Sequence, residues 1–156
     1  MTTVGVGPTH YDGVRVERRG PVTTVTLDRP GTRNACTGDM FVAVGAVFRE
    51  IAYSGARVVV LTGANGDFSA GADLSGAAGP GGDDERRGSF LDAMHVLADV
   101  VVAVHDCPIP VVAKVDGLCV GSGLGLALAA DLLWCSDRAR FSVIFSKRGL
   151  SLETRR

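Results

Sequence analysis

The chain has 156 residues, a formal net charge of −1, and is 46% hydrophobic and 21% charged. That length suits one ordinary domain with its own core, and that composition excludes a disordered chain. With charge near neutral and no Lys/Arg cluster beside an aromatic-rich strand, there is no nucleic-acid footprint.

Residues 1–12 read as a flexible leader, without the charged start and apolar stretch of a signal peptide. Val14 to Arg18 alternates apolar and polar residues, the pattern of a half-buried strand. Gly20-Pro21 is a turn signal, and Val22 to Leu27 is predicted to return as the second strand of a hairpin. Pro30 to Ala35 is a loop, and Thr37 is placed to cap the helix that follows. On that helix Phe41, Val44, Phe48 and Ile51 share one face, and Gly55 marks its end. Val58 to Leu61 is a uniformly apolar run, the signature of a strand covered on both faces. Residues 63–75 form a small-residue loop, and Gly76 to Gly88 is Gly- and charge-rich, as in a mobile segment. A second helix is expected from about Ser89 to His105, burying Leu91, Met94, Leu97 and Val101, with Pro108 and Pro110 stopping it. Val111 to Val115 is another covered strand. A Gly-rich turn, a helix through Ala130 and a strand from Leu132 to Cys135 complete the order, which is an α/β layout.

The four cysteines, Cys36, Cys107, Cys119 and Cys135, form no CxxC pair, so no metal or redox motif is indicated. They read as buried free thiols in a reducing compartment. No run of about 18 apolar residues occurs, so no membrane span is expected and the chain is assigned to the cytoplasm.

Two segments share one physical device. In Phe68-Ser69-Ala70-Gly71-Ala72-Asp73-Leu74 and in Val115 through Ala127, a covered strand runs into small residues and then a turn or helix. Backbone N–H groups exposed at such points can hold an oxygen that becomes negative, and a helix N-terminus adds about half a positive charge there. Read alone, Phe68 to Leu74 is equally a Gly-rich turn with no ligand. Gly121-Ser122-Gly123-Leu124-Gly125 could be a dinucleotide loop, but Leu126 breaks the full G-x-G-x-x-G pattern. A nucleophile elbow at Ser122 would need glycines at 120 and 124, where Val and Leu stand. His10, His95 and His105 sit outside both segments and read as surface or helix residues. Asp131 reads as a structural residue at a helix end, and Asp73 as a cap or turn residue.

Three pieces in order resemble the enoyl-CoA hydratase/isomerase (crotonase) family. They are Leu27-Asp28-Arg29-Pro30 through Arg33-Asn34-Ala35, then Phe68 to Leu74, then Asp116-Gly117 through Gly123 with Leu126-Ala127 and Asp131. The resemblance covers roughly residues 14–150. It implies an α/β fold of the crotonase-like ββα spiral type, N-terminal part only, with residues 13–150 as a partial acyl-CoA-binding domain. It implies an acyl-CoA thioester as substrate, its enolate held in an oxyanion hole, in chemistry of the fatty-acid degradation type. No cofactor is implied beyond the CoA that belongs to the substrate. Carried over by position, the oxyanion N–H groups are those of Ala72 and Ser122. CoA would lie along Arg33, Asn34 and Ala35 and along Ala72, Asp73, Leu74 and Ser75, largely through backbone groups.

The chain also departs from the family. The two glutamates of the hydratases fall by position on Gly125 and Phe145, neither of which can move a proton. Ordinary two-glutamate hydration is therefore not expected. The family's isomerases use one carboxylate from a "G-L-x-P-D/E" stretch, and Gly149-Leu150-Ser151-Leu152-Glu153 offers Glu153 there, with Leu152 in place of Pro. Residues 151–156 depart from the family altogether and read as the tail of a prematurely ended chain. The later helices that build the family's trimers and hexamers are absent from the sequence. A non-catalytic remnant that binds acyl-CoA weakly is the alternative reading, and a nucleotide-binding domain the third.

Overall fold

The computed structural model describes residues 9–75 and 84–144. Phe145, Glu153 and the 151–156 tail lie outside the described residues, as do residues 1–8 and most of the glycine-rich segment, 76–83. Three residues expected in the leader instead form a strand, β1 (Thr9–Tyr11), which adds to the edge of the hairpin β2 (Val14–Arg19) and β3 (Val22–Leu27).

The hairpin closes through Gly20-Pro21, with Arg19 opposite Val22. Pro30–Thr32 makes one short 3-10 turn, and α1 (Gly38–Ile51) follows. Thr37 caps α1, its hydroxyl accepting from the Met40 N–H at 3.2 Å, which typically stabilises a helix by about 1 kcal/mol. Asp39 in the first turn and Arg49 in the last complement the helix dipole. The face read from spacing is the one that packs: Phe41, Val44, Phe48 and Ile51 are all buried, joined by Met40 and Val47.

β4 (Val58–Gly63), β5 (Val111–Val115) and β7 (Leu132–Cys135) extend the hairpin in parallel, giving a six-stranded sheet in the order β1-β2-β3-β4-β5-β7. Register aligns Val25 with Leu61, and Leu61 with Ala113, so one row of alternate residues faces the helices and is fully buried. The opposite row, with Val58, Val60 and Val112, is only half-buried, and Lys114 is exposed. The expectation of strands covered on both faces is corrected on this point: among the described residues only one face is sealed.

α2 runs Asp84–His105, starting earlier than expected and taking in part of the segment read as mobile. It packs against α1, and its buried residues are Val100 and Val104, while Leu97 and Val101 are half-buried and Met94 is 38% exposed. The expected face, with Met94 at its centre, is corrected; the Leu91 side chain lies outside what the structure describes. α3 (Ser122–Leu128) buries Leu124, Leu126 and Ala127. A second small sheet, β6 (Leu118–Val120) paired in parallel with β8 (Arg140–Ser142), has no counterpart in the sequence reading.

Candidate active site

The loop after β4 and the turn between β5 and α3 meet through β6. Phe68, fully buried, anchors the first. The N–H groups of Phe68 and Ser69 both donate to the Leu118 carbonyl, at 2.9 and 2.8 Å, and the Val120 N–H returns to the Ser69 carbonyl at 3.0 Å. Gly117 makes the turn into β6 with φ +57, a left-handed conformation, and a Cβ there would collide with the Gly66 carbonyl oxygen and the Asp67 carboxylate. Asp67 meanwhile accepts from the Leu118 N–H at 2.8 Å. Asp116 is held by Ser136 at 2.6 Å and by Arg138, and the Ser136 hydroxyl and then Arg138 keep its carboxyl below the usual range.

Residues 34–36 lash the loop from the other side. Asn34 is fully buried; its side chain accepts from the Arg29 N–H and donates to the Ala64 and Asp67 carbonyls, at 2.8–2.9 Å. Cys36 bridges Ala72: its N–H donates to the Gly71 carbonyl and its own carbonyl accepts from the Asp73 N–H, both at 2.8 Å. Asp73 accepts from the Ser75 N–H and pairs with Arg29, each at 2.9 Å. The Ser75 hydrogen bonds first, and Arg29 after them, pull the Asp73 carboxyl down to about 2, so it stays ionised and is no proton carrier at neutral pH.

These ties bring Gly71 and Gly121 into contact. A Cβ on Gly121 would lie 4.0 Å from the Gly71 Cα, and one on Gly71 would lie 3.0 Å from the Val120 carbonyl oxygen. Ala72 and Ser122 are the next residue on each side. Among the described residues neither amide donates a hydrogen bond. The Ser122 hydroxyl is buried and likewise has no partner there. Ala72 is exposed, so the junction opens to solvent on its side.

The remaining residues singled out from the sequence fall as follows. The N–H groups of Arg33, Asn34 and Ala35 all donate within their own loop, to Pro30, Arg29 and Thr32. The Arg33 side chain, 69% exposed, is the freest part of that stretch. Leu74 and Ser75 are exposed beside Asp73. Gly125 stands on α3 with room around it: a Cβ would touch only Val101, at 4.0 Å. Asp131 accepts from the Val111 N–H at 2.7 Å, a structural bond that joins the start of β7 to β5. The three histidines are exposed. α3 links the parallel strands β5 and β7, but the strand that leads directly into Gly121 is β6 of the small sheet, unlike the strand-to-glycine turn of a dinucleotide loop.

All four cysteines are free, but Cys135 is exposed and Cys107 half-buried, which corrects the expectation that all four are buried. Burial pushes the Cys36 thiol up to about 11 and the Cys119 thiol up to about 12, so neither is a thiolate nucleophile at neutral pH. Two hollows among the described residues lie elsewhere. One, of about 170 Å³, separates α1 from α2 near Phe41, Val96 and Val100. The other, of about 310 Å³, lies between the hairpin and α1 near Val16, Thr23 and Val47. What the sequence reading missed is the bracing: Asn34 was placed along CoA and not as a brace, Ser69 stood inside a quoted motif without a role, and Asp67 stood just ahead of one.

Comparison with known proteins bears on this geometry. The family pattern described as "Enoyl-CoA hydratase/isomerase" matches residues 17–153. A probable enoyl-CoA hydratase of Mycobacterium tuberculosis is 39% identical over 141 residues, 90% of this chain and 53% of that protein. The mitochondrial Delta(3,5)-Delta(2,4)-dienoyl-CoA isomerase of Pongo abelii is 34% identical over 149 residues, 90% of this chain and 45% of that protein. A solved enoyl-CoA hydratase/carnithine racemase from Magnetospirillum magneticum superposes with a TM-score of 0.84 at 29% identity, covering 97% of this chain and 56% of that one. The chain spans about half the length of the relatives it matches.

Proposed function

The chain belongs to the enoyl-CoA hydratase/isomerase family, and on that footing we propose that it binds an acyl-CoA thioester and polarises the thioester carbonyl between the amides of Ala72 and Ser122. The observation that carries this is the close approach of Gly71 and Gly121, which sets on the next residue of each segment an amide that donates no hydrogen bond among the described residues. Two such donors stabilise the oxygen as it gains charge in an enolate, and loss of one typically costs about 10²–10³ in rate. The rigid backbone matters more than the side chains, because an amide fixed by packing needs no reorganisation when charge develops. CoA then lies along Arg33 to Ala35 and Ala72 to Ser75. Within the first stretch the exposed Arg33 side chain is the group able to meet its phosphates. The chemistry is of the fatty-acid degradation type, and the free cysteines support a reducing, cytoplasmic setting.

A second reading, acyl-CoA binding without turnover, is favoured by Gly125, which brings no carboxylate to the junction. Glu153 is the carboxylate we propose for proton transfer if turnover occurs. Calorimetric titration with acetyl-CoA, free CoA and NAD separates these readings from nucleotide binding. Tighter binding of acetyl-CoA than of CoA, with none of NAD, is expected; binding of NAD alone overturns the proposal. Turnover of an enoyl-CoA that falls in Glu153→Gln, with acetyl-CoA affinity kept, supports the catalytic reading; unchanged turnover removes Glu153 from it.

A further inference from the structure

We infer that Ser69 is the positioning residue that sets the spacing and aim of the two amides, an assignment that rests on the oxyanion reading above. Ser69 is fully buried and touches both arms of the junction. Its N–H donates to Leu118 and its carbonyl accepts from Val120, which fixes it to β6. Its hydroxyl donates to the Asn34 carbonyl at 2.8 Å and accepts from the Gly71 N–H at 3.1 Å. A hydroxyl has one donor and two acceptor sites, so the donor is committed to Asn34 and one acceptor site to Gly71.

The Gly71 bond is the consequential one. Gly71 has φ +97, and a glycine is free to rotate unless something restrains it. The peptide that follows Gly71 carries the Ala72 N–H. That peptide is held directly through the Gly71 carbonyl, which accepts from the Cys36 N–H at 2.8 Å, while the Ser69 hydroxyl holds the peptide before it, so Gly71 is braced on both sides. On the other arm, α3 rests its first turn on the same side chain: a Cβ at Gly123 would lie 2.6 Å from the Ser69 Cβ and 2.9 Å from its Oγ. One side chain thus braces the residue that precedes the Ala72 amide and seats the turn bearing the Ser122 amide.

The test is the infrared band of the thioester carbonyl in acetyl-CoA labelled with carbon-13 at that carbon, alongside affinities for acetyl-CoA, for its carbonyl-free ethyl thioether and for CoA. In the parent protein the carbonyl band moves to lower frequency on binding. Ser69→Ala removes these two hydroxyl bonds and the 3.7 Å contact of the hydroxyl with the Cys36 thiol; the band shift is largely lost, and preference for the thioester over the thioether falls about tenfold to a hundredfold, with CoA affinity kept. Ser69→Cys keeps the bulk with a weaker donor and acceptor and gives an intermediate shift; if Ser69→Ala does not fold, this variant decides. A parent-sized shift in the folded variants overturns the assignment and leaves the oxyanion reading standing. Loss of CoA affinity in step with the carbonyl shift also overturns it, since that is a general structural defect. No shift in the parent protein overturns both.

Discussion

β6 and β7 are both short apolar strands that follow a buried segment, and they end in opposite circumstances. Cys119 at the centre of β6 is fully buried, while Leu132, Leu133 and Trp134 of β7 are 64%, 43% and 74% exposed. The difference lies in partners. β6 pairs with β8, accepts from Phe68 and Ser69, and carries the turn into α3. β7 has β5 on one side and, among the described residues, no strand on the other. The junction of the two loops is therefore tied by hydrogen bonds on both of its arms, whereas the sheet edge beside it has no partner strand among the described residues. The two-loop junction and the open sheet edge are separable parts of this fold.

That contrast can be broken or sharpened by substitution. The largest effect is expected at Gly117, where positive φ and contact with the Gly66 carbonyl oxygen leave no room for a side chain. Gly117→Ala should lower unfolding free energy by roughly 3 kcal/mol or more in urea titration, and a loss under about 1 kcal/mol would mean the junction is not the rigid element described. Asp131 comes next because it begins at the open edge yet bonds inward. Asp131→Ala strands the buried Val111 N–H, and a loss of about 1–3 kcal/mol is expected; no loss would place that bond outside the stable part of the sheet. The smallest effect belongs to the edge itself. Trp134→Thr should change stability by less than about 0.5 kcal/mol, and a larger loss would show that the face is covered in solution.

Elements whose signal is local were legible in the sequence. Val22 to Leu27 and Val111 to Val115 are strands with the expected bounds, and Thr37 caps the helix it was assigned to. The family membership was legible too, because three motifs in order are a long-range signal. The buried face of α2 was not. That helix carries apolar residues nearly all round, so spacing does not choose a face; packing on α1 does, and it selects Val100 and Val104 over Met94. β6 and β8 were not legible because each is three residues long and its partner lies about twenty residues away. The bracing of the site was hidden for a related reason. Ser69 and Asn34 are ordinary polar residues in sequence, and only the tertiary approach of residues 34, 69 and 71 turns them into one hydrogen-bonded chain.

The proposed function requires two amides to address one carbonyl oxygen. The direct measurement is amide nuclear magnetic resonance of the protein titrated with acetyl-CoA and, separately, with its ethyl thioether analogue. The Ala72 and Ser122 N–H signals should both move downfield with the thioester, in parallel and at one affinity, and stay near their free positions with the thioether. Movement of one signal without the other, or equal movement with both compounds, would contradict a shared oxyanion hole.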